Sequence, residues 1–541
     1  MIFKFISRKI KFLLHAAKQK ESDVEKEEPE KKEITKDSVK KQLSSNVSNL
    51  KKRLSNSSDL KIHYFRTGKD GCYTGALAFI DGLVSNTLIT ESILRPLTVW
   101  EAQSEQEPDE EKLMDGVIEQ ALCSGEIEKI LELPQAVAGC LSGDTVLFME
   151  GCASALVIST KGWDKRSVSE PQSETVVRGP REGFTENLRT NTSLIRRKIK
   201  SGKLHVENMK IGRKTQTDIC LMYLEDVVSS DVIRTVKSRM KQLDVDAILE
   251  SGYIEEYIED APLSPFPTVG YTEKPDVAAG KILEGRIAII VDGTPFVLTA
   301  PMLFVESFQT TEDYYTRTIY ASLMRVTRFI GYLITIFAPG IYISLSDFHQ
   351  EIIPTTLLFT IANAREGTPF PVFVETLIMV FAFEIIREAG IRLPRPVGQA
   401  ISIVGALVMG DAAVSAGLVG APVVIVVAIT AVSAFLVPSQ SDSVSMLRVA
   451  MMALASFTGW YGLAMGSLAI LLYLGSLTSF GVPYFDGFSW NHNLQDSLVR
   501  MPLWTMVKRP KYIAEGNITR IGKIDPPLRP HKKEEGEDED L

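Results

Sequence analysis

The sequence predicts a two-part protein: an α/β region of two soluble lobes, followed by an all-α polytopic membrane domain of five to six helices. Between residues 61 and 295, strand-like runs alternate with helical ones, as in mixed α/β domains. Between residues 329 and 485, apolar stretches of membrane-spanning length recur. Whole-chain values, 45% hydrophobic and 23% charged residues, conceal this division because they average two different halves.

Residues 1–60 are predicted to form a charged, disordered tail. From about residue 18 this stretch is rich in Glu, Lys and Ser and almost lacks aromatic residues, so it buries too little apolar surface to offset the entropy of ordering. The opening MIFKFISRKIKFLLHAA has no apolar run of the about 7 to 15 residues that a signal-peptide core needs. It is interpreted either as a basic interfacial helix or as a frayed terminus.

The two lobes are expected at residues 61–139 and 140–295. Strand-like runs and helical patterns support them; the strands are expected at 61–65, 137–158, 218–224 and 286–292, and the helices at 231–243 and 245–259. The five cysteines contain no CxxC pair, which favours a reducing, cytoplasmic setting over a disulfide or zinc framework.

The membrane domain is predicted at residues 329–485. An interfacial linker, 296–328, ends in a cluster of arginines, and the apolar run 329–346 follows. Because basic residues collect on the cytoplasmic side of membranes, this end of the first span is assigned to the cytoplasm. A second span at 370–386 ends before another cluster of arginines, which returns the chain to the same side.

Two longer apolar runs supply the remaining spans. Residues 397–441 carry a single charged side chain, Asp411, and are long enough for two helices of about 20 residues each. Residues 449–485 carry no charge and supply a further pair. The short apolar stretch 352–362 is either re-entrant or interfacial, so the count stays at five to six. Residues 486–541 are expected to form a cytoplasmic tail.

Three acidic side chains fall inside the apolar half, where ionisable groups are costly and tend to be functional. Asp411 is interpreted either as a turn residue that caps the next helix or as a cation-attracting position at a pore mouth. Glu375 and Glu384 are nine residues apart, which places them on opposite faces of one helix. We expect Glu384 to pair with Arg387. Glu375 is either a structural hydrogen-bond acceptor or a pathway residue.

Small residues recur through the last four spans. The usual meaning of such spacing, as in the GxxxG pair Gly462 and Gly466, is close approach between helices. Alternatively, the stretch GQAISIVGALVMG lines a narrow pathway in which Val404 or Val408 forms a hydrophobic constriction. Composition and spacing do not choose between the two.

Nothing in the sequence indicates catalysis, a metal site or a cofactor, so we expect none of the three. The six histidines lack metal-ligand spacing, and there is no Walker A loop, GxSxG or dinucleotide fingerprint. The net charge of −8 is spread over mixed-sign segments, which gives no case for a nucleic-acid partner. The basic run 189–200 follows acidic residues on one predicted helix and is interpreted as a solvated or lobe-bridging face.

Five separate motifs occur in order along the chain, and together they carry a family resemblance: VVRGPREGFTENLRTNTSLIRRKIK, SPFPTVGYTEKPD, REGTPFPVFVE, REAGIRLPRPVGQ and TSFGVPYF. Over roughly residues 61–503 the chain resembles the A subunit of the GerA-type spore germination receptors. The resemblance implies a protein of the spore inner membrane with a two-lobed cytoplasmic domain. It also implies work beside receptor B and C subunits.

Such A subunits are expected to assemble into a pentameric ring whose membrane helices form an ion channel. Binding of an amino acid or sugar to the B subunit would open it and release monovalent cations. Carried over to this chain, the channel helix is the third span, and its pore-lining candidates are Gln399, Ser402, Val404, Val408 and Asp411.

The sequence also permits other interpretations. The chain is a non-conducting scaffold for the B and C subunits, or it is the A-subunit-like paralogue associated with the dipicolinate-release channel. A secondary transporter is disfavoured, because the sequence lacks an inverted pair of interrupted spans.

Overall fold

The computed structural model describes residues 38–68, 71–100, 110–162, 171, 174, 176–392, 408–486, 496–510 and 512–520. The first lobe is an antiparallel five-stranded sheet in the order β1-β2-β4-β5-β3. Its strands are β1 (Leu60–Thr67), β2 (Tyr73–Ile80), β3 (Ile127–Ile130), β4 (Thr145–Met149) and β5 (Ala155–Ile158). Helices α1 (Leu43–Arg53) and α2 (Leu133–Ser142) accompany it, with helical segments at 86–99 and 110–121.

The second lobe is again an antiparallel five-stranded sheet, in the order β6-β7-β9-β10-β8. Its strands are β6 (Leu204–Ile211), β7 (Thr217–Leu224), β8 (Gly270–Thr272), β9 (Ile287–Val291) and β10 (Val297–Ala300). Its helices are α3 (Leu188–Lys198), α4 (Ser230–Gln242), α5 (Ser251–Ile258) and α6 (Pro275–Leu283). Buried apolar side chains cover both faces of each sheet.

The two lobes repeat one plan: a helix, a hairpin, helical segments, a strand, a helix and a second hairpin. The first helices match in detail. Asn46 and Asn191 are each the fourth residue of their helix, LSSNVSNLKKR and LRTNTSLIRRK. Each amide bonds the backbone six residues upstream, Asn46 to Lys40 and Asn191 to Thr185, with the amide oxygen accepting at 2.8 Å in both cases. The lobes therefore repeat in sequence as well as in topology.

Two expectations about the lobes are wrong. The boundary at residue 139 would split the first sheet, since α2 spans it and β4 and β5 follow it. Order also begins before residue 61, because α1 buries Leu43, Val47 and Leu50. A mainly charged stretch thus contains one amphipathic helix whose apolar face is held by the sheet.

The C-terminal part is helical. Over the described residues its helices of eight or more residues are α7 (Thr318–Asp347), α8 (Thr355–Arg365), α9 (Val372–Arg392), α10 (408–415), α11 (Ala421–Ala434), α12 (Ser441–Thr458) and α13 (Trp460–Ser476). The long helix α7 packs against α11 and α12 and is central to the bundle. Close helix approach explains two glycines: a Cβ on Gly340 would lie 2.9 Å from Leu463 Cδ2, and one on Gly466 would lie 2.7 Å from Met451 Sδ.

Among the described residues, α7 is long and apolar enough to cross a membrane by itself. Helix α11 and the segment Pro438–Thr458 meet that test only as a pair bent by 110°, and α13 is apolar but shorter. The fifth predicted span begins earlier than expected, at Ser441, and includes Arg448, which is buried against Glu384.

The limits of the predicted membrane domain also need correction. β10 lies inside the predicted linker 296–328 but belongs to the sheet of the second lobe. At the other end, Thr478–Ser479 and Val482–Pro483 pair as a small hairpin outside the helices.

The segment after the hairpin returns to the second lobe. We call residues 496–510 and 512–520 the C-terminal strap. Ile513 and Ala514 are fully buried, and Val228 forms an isolated β-bridge with Ala514. Ser229 Oγ donates a hydrogen bond to Glu515 at 2.7 Å. The predicted tail therefore contains a packed segment.

Candidate coupling site between the lobes and the membrane helices

Two motifs that are distant in sequence meet between the second lobe and the helix bundle. They are the SPFPTVGYTEKPD segment, residues 264–276, and the TSFGVPYF segment, residues 478–485. Ser479 Oγ donates a hydrogen bond to the carbonyl of Thr268 at 2.6 Å, and the Met302 N–H donates to Ser479 Oγ at 3.1 Å. The chain that leaves the last helix is thus bonded to two separate segments of the lobe.

The hairpin inserts its apolar side chains into the second lobe. Phe480 and Val482 are buried in the core that α4, α5 and the sheet share. Phe480 has a φ of +51°, which turns the chain, and the Arg239 guanidinium lies 4.9 Å from its ring centroid. Because this core is closely packed, the hairpin and the lobe are expected to move together.

An aromatic cluster continues the junction into the bundle. The ring of Phe304 lies 6.1 Å from Phe266, 5.3 Å from Phe308, 5.8 Å from Tyr332 and 5.9 Å from Tyr484, centroid to centroid. Tyr332 belongs to α7, whereas Phe266 belongs to the segment 264–276. Each such pair contributes about 0.5–1.5 kcal/mol beyond its buried area.

A buried ionic network holds the start of α7. Arg325 is 0% exposed, and its Nε donates to Asp313 Oδ2 at 2.9 Å. Its Nη1 donates to Asp496 Oδ1 at 2.8 Å and to the Ser497 carbonyl at 2.9 Å. Arg328 donates to Asp313 Oδ2 at 2.9 Å. One arginine therefore joins α7 to the segment before it and to the C-terminal strap.

Burial shifts the pKa values of two side chains in this network, Asp496 and Tyr314. Desolvation raises the pKa of the Asp496 carboxyl, while the nearby Arg325 guanidinium opposes that rise. Burial, followed by the Asp496 charge, raises the pKa of Tyr314, whose hydroxyl donates to Asp496 Oδ2 at 2.7 Å. The tyrosine therefore stays neutral and serves as a donor.

A second ionic group joins the second lobe to the segment that precedes α7. Arg286 Nη2 donates to Glu306 Oε1 at 2.6 Å, and Lys281 Nζ lies 3.2 Å from Glu306 Oε2. Burial alone would raise the pKa of Glu306, but Arg286 and Lys281 outweigh it and hold that pKa below its ordinary value. Next to it, Gln440 Nε2 donates to Ser307 Oγ at 2.7 Å, which joins the start of α12 to the same segment.

Within the described segments, a buried ion pair joins the two lobes. Arg196, 1% exposed on α3, donates from Nε to Asp59 Oδ2 at 2.8 Å and from Nη2 to Asp59 Oδ1 at 3.0 Å. Nη2 also donates to Ser57 Oγ at 2.9 Å. The basic run 189–200 thus bridges the lobes through this side chain, which is one of the two interpretations that the sequence offered. The expected helix over the preceding acidic residues is wrong, since α3 begins at Leu188.

The pore-lining candidates are only partly described. Gln399, Ser402 and Val404 lie outside the described residues. Val408 is 56% exposed, and Asp411 is exposed on α10. The two described candidates therefore present side chains to the outside of a single chain.

The other two acidic candidates, Glu375 and Glu384, have partners. Glu384 Oε2 lies 2.7 Å from Arg387 Nη2, as its spacing predicts, and its second oxygen contacts Arg448. Glu375 accepts a hydrogen bond from the Gly420 N–H at 3.3 Å, at the N-terminus of α11. The structure does not bring Asp411, Glu375 and Glu384 together as one described cluster.

Helix α5, which precedes the segment 264–276, carries the Glu255 carboxyl, whose pKa is raised. Burial, then the nearby Glu259 and Glu250 carboxylates, raise the pKa of Glu255 to about 7. Between pH 4.5 and about 7 the folded chain holds a proton that the unfolded chain releases, so the free energy of unfolding decreases as pH rises through this range.

We expect Glu255→Gln to remove this part of the pH dependence and to stabilise the chain at pH 7.5. The measurement is the urea midpoint of the purified full chain between pH 4.5 and 8. Glu256→Gln, at the exposed neighbouring position, is the matched control. Parallel profiles for wild type and Glu255→Gln would contradict the assignment.

No group of three or more His, Cys, Asp or Glu that could hold a metal ion occurs in the part of the chain that the structure describes. Burial raises the pKa of the Cys140 thiol to about 12, which makes it a poor nucleophile. The buried contacts of the junction link the second lobe, α7, α12 and the C-terminal strap. A displacement of one of these parts is therefore expected to move the others.

Comparison with known proteins identifies the family. Residues 48–512 match the family model described as Bacillus/Clostridium GerA spore germination protein. The chain belongs to this family. Spore germination protein KA of Bacillus subtilis (strain 168) is 43% identical over 489 residues, which cover 90% of this chain and 89% of that protein. Spore germination protein GerLA of Bacillus cereus is 36% identical over 443 residues, 81% of this chain and 89% of that protein.

A solved structure is also similar. The crystal structure of the N-terminal domain of the A subunit of the Bacillus megaterium spore germinant receptor GerK3 matches with 36% sequence identity and a TM-score of 0.40, covering 50% of this chain and 98% of that domain. Membership of the GerA family, whose members are membrane-associated spore germination proteins and not a known enzyme class, confirms the resemblance that the motifs indicated.

Proposed function

We propose that this chain is the A subunit of a nutrient germinant receptor of the spore inner membrane. Its lobes and C-terminal strap lie in the spore core, and it works beside B and C subunits. Five copies form a ring whose helices make a cation channel, which opens when the partner B subunit binds a germinant. Membership of the GerA family supports the receptor role, and the buried junction around Arg325 is the observation that carries the coupling.

The junction suggests how a signal reaches the helices. Helix α7 has 30 residues and is about 45 Å long, so a tilt at one end reaches the other. Arg325 fastens an early turn of α7 to the segment before it and to the C-terminal strap, and the strap in turn buries Ile513 in the core of the second lobe. Midway along α7, Tyr332 packs against Phe304 of the aromatic cluster. A rotation of that lobe would therefore tilt α7 and displace α11 and α12, which pack against it.

We place the pore on the third span, with Gln399, Ser402, Val404, Val408 and Asp411 as its lining. The exposed Val408 and Asp411 are in keeping with a surface that another copy of the chain completes. Six spans with both ends in the core satisfy the arginine clusters. We assign no catalytic step to this protein.

Val404→Ala is expected to widen the constriction, so spores lose potassium without a germinant. Asp411→Asn is expected to slow potassium release once germination is triggered, because a carboxylate at a pore mouth concentrates cations. Flame photometry of the spore supernatant measures both. Val432→Ala, at an exposed position on α11, is the control and should release potassium normally. Unchanged release from both pore variants would favour a non-conducting scaffold.

The alternative within the family is the paralogue associated with the dipicolinate-release channel. Deleting the gene separates the two roles. Loss of the response to one nutrient, with dipicolinate release intact under other triggers, supports the receptor assignment. A general defect in dipicolinate release contradicts it.

A further inference from the structure

The first lobe has a slot that is filled by the chain following its last strand. Val84 forms an isolated antiparallel β-bridge with Lys161, and the Ser85 N–H donates a hydrogen bond to the Thr160 carbonyl at 2.8 Å. Thr160 is 1% exposed and lies two residues beyond the end of β5. The first lobe therefore fills this slot from its own sequence.

The second lobe has the same slot but a different occupant. Its repeat YLEDVVS matches FIDGLVS of the first lobe and ends in Val228 and Ser229. Val228 forms an isolated antiparallel β-bridge with Ala514, and the Ser229 N–H donates to the Ile513 carbonyl at 3.3 Å. The chain of the lobe itself does not fill the slot, because Met302, two residues beyond β10, is bonded to the hairpin instead. The C-terminal strap takes its place.

The slot of the second lobe is shaped for a chain that approaches closely. Gly285 has a φ of +98°, and a Cβ at this position would lie 3.1 Å from the Ile513 carbonyl oxygen. On the other side, a Cβ on Gly516 of the strap would lie 2.5 Å from the Asp226 carbonyl oxygen. Glycine at both positions allows the two backbones to meet. We give the name strap slot to residues 226–229 and 283–285.

Few contacts hold this end of the strap. Among its described residues from 508 to 520, Ile513 and Ala514 are buried, and residues 515–520 are exposed. Ile513 packs into one core of the second lobe and Ala514 into the other. A segment anchored by two adjacent side chains is expected to open at a lower free energy than the sheet beneath it. The other end of the strap is bonded to α7 through Asp496.

We propose that the strap slot is a binding site for an extended peptide segment and that the strap is its detachable occupant. The site accepts a branched apolar residue followed by a small one, here Ile513 and Ala514, and it pairs with the backbone of the segment. Because the strap also holds the start of α7 through Asp496, occupancy of the slot decides whether the strap ties α7 to the second lobe. The proposal rests neither on conduction nor on the receptor assignment.

Peptide exchange into the folded full chain tests the site. A protease site inserted between Leu503 and Trp504, which are both exposed, allows the chain to be cut in detergent. A fluorescent peptide of residues 507–520 should then replace the natural segment saturably, as measured by fluorescence anisotropy. The Ile513→Asp peptide should bind more than about tenfold more weakly, because it would bury a carboxylate in an apolar core. The Tyr512→Ala peptide, changed at an exposed position, is the control and should bind as the natural peptide does.

Hydrogen exchange on the uncut full chain gives a second test. The Ser229 amide, which bonds Ile513, should exchange at least about ten times faster than the amides of β9, which lie inside the sheet. Equal rates would show that the strap opens only with the whole lobe. Failure of the peptide to enter the cut chain, or loss of the near-UV circular dichroism when the fragment leaves, would make the strap a permanent part of the lobe. Equal binding of the natural and Ile513→Asp peptides would place binding elsewhere. Each of these results overturns the proposal.

Discussion

Arg325→Met is expected to lower the free energy of unfolding of the full chain by about 3–5 kcal/mol. Arg325 is fully buried and bonds Asp313, Asp496 and the Ser497 carbonyl. Removing the guanidinium takes one of two arginines from the buried Asp313 and leaves Asp496, which is 25% exposed, without its cationic partner, which is the costly way to break an ion pair. Tryptophan fluorescence during urea unfolding in detergent measures the change.

The same substitution should uncouple the lobe from α7. Spores with Arg325→Met are expected to release little potassium in response to germinant, even where immunoblots show normal protein levels. Arg325→Lys should restore only part of the stability, because an ammonium cannot reproduce the forked contacts. Arg317→Ala removes an exposed arginine eight residues earlier and serves as the control. Normal stability and normal release in Arg325→Met would show that this network does not couple the two parts.

Arg196→Met is expected to have a similar cost, about 3–5 kcal/mol, by leaving Asp59 buried and unpaired between the lobes. Both residues are 1% exposed, and two hydrogen bonds join their side chains. The double variant Arg196→Met, Asp59→Leu should recover much of the loss, because an apolar pair removes the desolvation cost along with the attraction. Urea unfolding of wild type, both single variants and the double variant gives the coupling energy.

Arg213→Met provides the contrast. Arg213 and Asp244 are also doubly bonded, at 2.6 Å for each contact, but both side chains are mainly exposed. Water screens such a pair, so the unfolding midpoint should not change. If Arg213→Met were as destabilising as Arg196→Met, burial would not be the cause of the interlobe effect.

The α/β character of the N-terminal region was predictable from periodicity, but its division was not. A strand pattern over 137–158 concealed the end of α2 and the two strands of a hairpin, so the boundary was placed inside the first sheet. A signal was present: LSSNVSNLKKR and LRTNTSLIRRK repeat, as do FIDGLVS and YLEDVVS, each at the same place in its lobe. Aligning the chain with itself would have revealed the duplication and the helix α1.

The junction shows where sequence reasoning stops. Its motifs, 264–276 and 478–485, stood out as part of a family resemblance, but their contact depends on how the helix bundle returns the chain to the lobe. The arginine cluster before the first predicted span indicates topology, yet Arg325 within it is buried in an ion pair. Local charge patterns locate arginines near membrane boundaries, but they do not reveal which carboxylates pair with them. For Arg325 these are Asp313 and Asp496, which lie 12 and 171 residues away along the chain.

Cation current through oligomers of the purified full chain in planar bilayers tests the proposed channel most directly. The Val404→Ala variant removes the need for a germinant, and N-methyl-D-glucamine replaces potassium as the impermeant control. A potassium current that is absent with N-methyl-D-glucamine and reduced by adding Asp411→Asn is the predicted result. Electrically silent bilayers that demonstrably contain the assembled oligomer would contradict conduction and leave the scaffold role.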